Sequence, residues 1–416
     1  MDRSRLPVFD RLVAARSRIF APVPPEIRRI WLFCAVALLP IWGLIWSSDT
    51  GSWDYAAMQL HAGESIYRPL LTNPNGEVAA HYPYLPSFGV FIGILSVPFY
   101  LLERLGLPFI AYHGATKLVA GSFGYLSLLV LPVVASHLLE TAEKRFWACL
   151  IVLLLPGLWF RVGASGPDLF VTVLALFSVL AVERERWLLA GFFAGSAMFK
   201  FTGIPFGPGL AAYAVVVGGR SALWSVAGGG ALSQLPNALY FLVFPADLWL
   251  FVEHRTLSWH AGDLGGFLLD PVAQAGLVEW YETVGFPIVL AVFCLGAVLV
   301  AVSRRDLVAA YCVGYVATGI LPPTPEQRVI TLQLLVLLGL IAADRRVSRY
   351  LLGWLLLYFV YPPVLSLLDT GFVMNLAADI GLFGLFFRTG HLAVLVMVGA
   401  LVVWSPFEAA PDEPSA

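Results

Sequence analysis

Apolar runs separated by short polar turns follow one another along nearly the whole chain. A helix that crosses a bilayer takes ~20 apolar residues. On that measure the pattern predicts spans over Ile30 to Trp46, Pro108 to Leu138, Phe146 to Phe160, Leu169 to Val182, Trp187 to Phe201, Phe206 to Val217 and Ala222 to Phe244. Further spans follow over Phe286 to Val302, Leu307 to Leu321, Val329 to Ala342 and Tyr350 to Leu368, with one or two more before Trp404. A further apolar run, Leu85 to Leu102, is long enough to cross but is interrupted at Pro98. The expected fold is all-α, a polytopic transmembrane protein of about 11–13 spans with juxtamembrane helices on its outer surface.

Composition supports this and removes alternatives. With 59% hydrophobic and 12% charged residues and a mean hydropathy of +0.82, the chain is not a water-soluble globule, whose charged fraction is about twice as high. Its 416 residues are used up by the spans, so no soluble nucleotide-binding domain fits beside them. The organisation is a basic cytoplasmic segment over 1–29, one transmembrane domain over 30–405 and a tail over 406–416. Cys34, Cys149, Cys294 and Cys312 all fall in apolar runs and read as small core residues, implying neither a disulfide framework nor a metal site.

Charge placement, rather than the net charge of -2, sets the topology. Arg3, Arg5, Arg11, Arg16, Arg18, Arg28 and Arg29 precede the first span against Asp2, Asp10 and Glu26, which places the N-terminus in the cytoplasm. A single crossing by Leu85 to Leu102 would put Glu183 to Arg186, Arg304–Arg305 and Arg345–Arg346 with Arg349 outside, against the positive-inside rule. Ser87 to Leu102 is therefore expected to be interfacial or re-entrant, or half of a double crossing. The outer face then receives Asp49 to Pro86, Arg161 to Asp168, Pro245 to Gly285 and Pro322 to Arg328.

The first of these outer segments holds the densest chemistry: Asp49, Trp53-Asp54-Tyr55, Gly63, Tyr67 and His81-Tyr82-Pro83-Tyr84-Leu85-Pro86. A carboxylate just past a span sits where the dielectric falls, which raises its proton affinity toward that of a general base. The same Asp49 would also serve as the cap of a short following helix.

This order of motifs resembles the polyprenyl-phosphate-sugar-dependent glycosyltransferases of superfamily C, closest to the family 87 mannosyltransferases. Asp49 directly after the first span, Trp53, Gly63, Tyr67 and Tyr82-Pro83-Tyr84-Leu85-Pro86 match in sequence. Gly166-Pro167-Asp168 opening a span, and Ala190-Gly191 through Lys200 to Pro205, match as later blocks. Family 87 more often has Gly-Gln and Asn where this chain has Gly166-Pro167-Asp168. The resemblance covers the first half of the chain; the second half agrees in hydropathy and in a Pro-rich outer turn bearing Arg328.

The resemblance implies a membrane hexosyltransferase of the mannosyltransferase kind. It would move a sugar from a polyprenyl-phosphate donor to an acceptor hydroxyl on a glycan or glycolipid, with inversion. Asp49 would act as base, with Asp54 as the second candidate. An outward-facing transferase without a Gly-rich phosphate loop needs a donor delivered through the bilayer, and a lipid-linked sugar is such a donor. The lipid phosphate that leaves needs cations near it; Lys200 and Arg328 stand at outer span ends, and His254 is a third candidate. Both cations would equally snorkel to headgroups.

Tyr67, His81, Tyr82, Asp168 and Trp259 are the candidate substrate contacts, Asp168 having an equal claim as a helix N-terminal charge. His254 and His260, six apart among Glu253, Asp263 and Asp270, lack helical metal-ligand spacing. The sequence requires no cofactor and leaves a divalent metal open. The expected partners are the lipid-linked donor, the acceptor and membrane lipids, with no nucleic acid. The competing function is a multi-span transporter of a small or lipid-linked solute. That class places ionisable residues at the midplane, where the predicted spans hold few, Lys117 being the main exception.

Overall fold

The structure, a computed structural model, describes residues 21–44, 48–67, 85–106, 112–154, 168–200, 203–249, 251, 276–277, 280, 284–320, 334 and 399. All the elements among these residues are helical. In chain order they are α1 (Pro25–Leu44), α2 (Ser48–Ala62), α3 (Pro86–Arg104), α4 (Tyr112–Leu138), α5 (Ala142–Leu154), α6 (Asp168–Glu183) and α7 (Trp187–Ala197). They continue with α8 (Phe206–Tyr213), which runs through a π-turn at Ala214–Gly218 into α9 (Gly219–Val243), then α10 (Phe286–Arg304) and α11 (Leu307–Ile320). The spans expected after Leu321 lie outside the described residues.

Among the described residues two stretches are long and apolar enough to cross a membrane, Phe206–Val243 and Pro287–Arg304. The first contains a bend. Gly219 takes φ +71°, in the region L-residues avoid, and its neighbour Gly218 stands so close to the Trp187 ring that a Cβ there would lie 2.7 Å from it.

Contacts fix the direction of the helices relative to one another. On α1 and α4, Trp31 Nε1–H donates to the Leu129 carbonyl at 2.7 Å and Tyr125 O–H to the Ala35 carbonyl at 2.7 Å, so the two helices are antiparallel. The intervening α2 and α3 therefore return the chain to the end from which α4 departs. Helices α2 and α3 lie side by side in the same direction: Trp53 meets Phe88 edge-on at 5.6 Å, and His61 meets the Gly93 carbonyl at 3.0 Å and the Tyr100 ring at 4.7 Å. The segment Asp49 to Pro86 thus opens on a helix of fifteen residues that begins at Ser48, where a short helix capped by Asp49 is one of the two sequence readings.

One end of the bundle collects charges. His137 at the end of α4 is 3.4 Å from Arg184 beyond α6, Trp187 at the start of α7 lies against Tyr213, and Glu183, Arg305 and Asp306 act electrostatically on Tyr213. The buried Asp306 caps α11 through the Ala309 N–H at 2.9 Å. Helix α6 is buried along nearly its whole length and forms the centre of the bundle.

Burial on the outer helices reverses the soluble amphipathic pattern. Helix α9 buries Gly229, Ser233 and Asn237 while exposing Leu232, Leu235, Leu239 and Leu242. Helix α10 buries Ala297 and Ala301 and exposes Ile288, Val292, Leu295, Leu299 and Val302. Helix α7 buries Ala190, Gly191, Ala194 and Gly195 and exposes Leu188, Leu189 and Phe192. The small residues let backbones meet: a Cβ on Gly191 would strike the Val226 carbonyl, and one on Gly229 the Leu188 carbonyl. The four cysteines are free, Cys149 lying 3.1 Å from the Ser136 hydroxyl within the α4–α5 hairpin.

Candidate functional site

The end of the bundle opposite the charged cluster brings together segments far apart in sequence. Helix α3 begins there with Pro86 in its first turn, where a missing N–H costs nothing. Its next donor, the Ser87 N–H, is taken by Asn237 Oδ1 of α9 at 2.6 Å. Asn237 is itself fixed, since its Nδ2 donates to Gln234 Oε1 at 2.6 Å and Gln234 Nε2 donates to the Gly195 carbonyl at 2.7 Å. One residue before the helix, the Leu85 N–H donates to the Phe199 carbonyl at 3.1 Å, and Phe88 stacks on Phe199 at 4.6 Å. The end of the Tyr-Pro-x-x-Pro block and the Ala-Gly helix with its following lysine are therefore in direct contact.

Lys200 is buried at 7% exposure, three residues past α7, and its carbonyl closes a turn by accepting from the Gly203 N–H at 2.8 Å. The helix ends earlier than the predicted Phe201 because Met198 and Phe199 donate back in tight 3₁₀-type turns to Gly195 and Ser196. That turn carries Lys200 to the rim of the end at which α3 begins.

Tyr67 follows α2 by five residues and is closed in by Tyr240 at 6.2 Å, Phe241 at 6.3 Å and Phe251 at 5.7 Å. With 1% of its surface exposed, it forms a wall of this end rather than an open face. The turn before it is tied down: the Ile66 N–H donates to Tyr240 Oη at 2.9 Å, and Tyr240 O–H donates to Asp247 Oδ2 at 2.6 Å.

Asp49 is the second residue of α2, and Trp53, one turn later, is fully buried. Asp54 lies on the same helix and Asp168 opens α6. That end of α6 faces this site, with Phe170 5.8 Å from Phe199. His81, Tyr82, His254, Trp259 and Arg328 lie outside the described residues. Among the described residues no group of three or more His, Cys, Asp or Glu stands together as a metal site.

Sequence reading passes over Asp247, Tyr240, Asn237 and Gln234. Asn237 and Gln234 are polar residues in the predicted span Ala222 to Phe244, and that anomaly was their available signal. Asp247 stands three residues past the same span in an outer segment whose other acids drew the attention. Its 3% exposure is visible only once the chain is folded.

No family model matches the chain, and no curated protein or solved structure matches it either.

Proposed function

We propose that the protein is a polytopic membrane glycosyltransferase that moves a hexose, mannose by resemblance, from a polyprenyl-phosphate donor to an acceptor hydroxyl at the outer face. The membrane part rests on the reversed burial. Leucines standing outward on α9 and α10 over small and polar residues would leave water against large apolar patches, whereas lipid makes small-residue contacts the favourable interior. Trp224 and Trp249, exposed near opposite ends of α9, sit where aromatic belts meet the two interfaces.

The observation that carries the transferase part is convergence. The segment following the Asp49 helix, the start of α3 and the Lys200 turn meet at one end, although 150 residues separate Ser87 from Asn237. In the proposed reaction Asp49 takes the proton of the acceptor hydroxyl. Its oxygen attacks the anomeric carbon, and the carbon–oxygen bond to the lipid phosphate breaks on the opposite face, inverting the centre. The phosphate leaves with the electron pair, and Lys200, Arg328 and His254 offset its charge. The donor, the acceptor and the surrounding lipids are the proposed partners, and the residues invoked require no cofactor.

A transporter is disfavoured by where charge is buried. Where burial is described, the buried charged side chains Lys200, Asp247 and Asp306 all stand at helix ends, not at helix centres. Transfer of labelled mannose from polyprenyl-phosphate mannose in membranes carrying the protein tests the proposal; no transfer to any acceptor at full expression would reject it.

A further inference from the structure

We propose that Asp247 and Tyr240 form a positioning pair that clamps the turn Ser65–Tyr67 to the end of α9 and so shapes the donor side of the site. The inference rests on the transferase reading above and adds residues which that reading does not use.

The observations are local and consistent. Asp247 is 3% exposed, just beyond α9, in a turn in which its N–H donates to the Phe244 carbonyl at 3.1 Å. Burying a carboxylate is costly unless hydrogen bonds compensate. One of its oxygens accepts from Tyr240 O–H at 2.6 Å, the short distance of a charge-assisted bond. With its proton committed to Asp247, the phenol oxygen presents its lone pairs to the first outer loop. The Ile66 N–H donates to it at 2.9 Å. The Ser65 hydroxyl in turn accepts from the Tyr67 N–H at 3.1 Å.

The carboxylate thus fixes the proton direction of the phenol, the phenol holds the turn at Ile66, and the Tyr67 N–H to Ser65 bond closes the turn around it. Gly63, at φ +72°, is the bend that lets the chain leave α2 toward the phenol. Tyr67 is held among Tyr240, Phe241 and Phe251 as a consequence, and from there the chain departs toward His81 and Tyr82. A side chain with no acceptor, such as alanine, in place of Asp247 would leave the phenol free to turn its proton toward the loop and compete with the Ile66 N–H.

A positioning pair makes a different signature from a base. Tyr240→Phe removes the acceptor for the Ile66 N–H, and hydrogen exchange at Ile66, read by mass spectrometry on the protein in nanodiscs, should accelerate at least about tenfold. In the transfer assay with polyprenyl-phosphate mannose, Tyr240→Phe and Asp247→Ala should each raise the donor KM about tenfold while kcat stays within about threefold. The double variant should be no worse than either alone, because both break one chain of bonds. Asp247→Asn keeps a carbonyl oxygen for the phenol and should recover most of the loss.

Unchanged exchange at Ile66 in Tyr240→Phe would overturn the clamp. A collapse of kcat in Asp247→Asn as deep as in Asp247→Ala would overturn the positioning role and make Asp247 a group that touches substrate. If the parent transfers no sugar while Ile66 still loses protection in Tyr240→Phe, the transferase reading fails, the tie stands, and its role in donor binding falls with that reading.

Discussion

At the scale of single residues, the sequence offers Lys200 two roles, and a substitution separates them. A lysine that only snorkels keeps its stem against the helix and its charge in the headgroup layer. Lys200 has 7% of its surface exposed and sits in a turn bonded through its carbonyl to Gly203. If its ammonium holds the donor phosphate, Lys200→Met should weaken donor binding by about 1.5–3 kcal/mol, the range for a hydrogen bond to a charged group. Folding should survive, since methionine fills nearly the same volume. Titration of the purified protein with polyprenyl phosphate checks this, and equal affinity in variant and parent would return Lys200 to a snorkelling role.

The cap on α3 is the second residue-scale test. Asn237 supplies the acceptor for the Ser87 N–H, and Asn237→Leu leaves that donor buried without it, at a cost of about 1–3 kcal/mol. A lowered unfolding temperature with loss of transfer is the expected result. Leucine would be better than asparagine at this position if it faced only lipid, so an unchanged or raised temperature would contradict the cap.

At the scale of elements, the hydropathy pattern made most helices legible, and the exceptions have physical causes. Helix α2 was hidden because its fifteen residues mix Asp49, Asp54, Gln59 and His61 with alanines and aromatics, so neither an apolar run nor a clear periodicity marks it. It is held by tertiary contacts, Trp53 on Phe88 and His61 on α3, which no local window contains. The early end of α7 was hidden because the apolar run continues to Phe201, past the turn that lifts Lys200 to the rim.

The α7–α9 contact was legible only in part. The Gly191 and Gly195 spacing suggests close helix packing, but its partner, the Val226 and Gly229 backbone, comes from a helix separated by a whole hairpin. Gly191→Ala should therefore destabilise the protein by about 1–3 kcal/mol despite alanine's better helix propensity, because the added methyl meets a backbone carbonyl that cannot move aside. Thermal unfolding in detergent measures this. A stability gain would mean that the two helices do not touch at these glycines.

At the scale of the whole molecule, the charged loops predict a sidedness that accessibility labelling tests. Helices α1 and α4 are antiparallel, and Arg184 and His137 meet at the end of the bundle opposite the start of α3. Arginine positions carry that expectation, but they could not reveal which residues of the loops touch, because those contacts span 150 or more positions between Ile66 or Ser87 and α9. With the charged end in the cytoplasm, Glu185→Cys, at an exposed position between α6 and α7, should resist a membrane-impermeant thiol reagent in intact cells and react after permeabilisation. A Cys294→Ser background removes the one native thiol that is not buried. Labelling from outside in intact cells would place the site end in the cytoplasm and remove the need for a lipid-delivered donor.

The most direct measurement is turnover of polyprenyl-phosphate mannose by Asp49→Asn beside Asp54→Asn, each at equal folded protein in membranes. Asparagine keeps the size and capping capacity of aspartate at the start of α2, so a residue that only caps the helix would cost little stability and almost no turnover. A general base contributes ~10²- to 10⁴-fold, and an amide cannot take the acceptor's proton. The expected result is a loss of that size in Asp49→Asn with a smaller one in Asp54→Asn; a large loss confined to Asp54→Asn would move the base, and full turnover in both variants would contradict the proposed transfer mechanism.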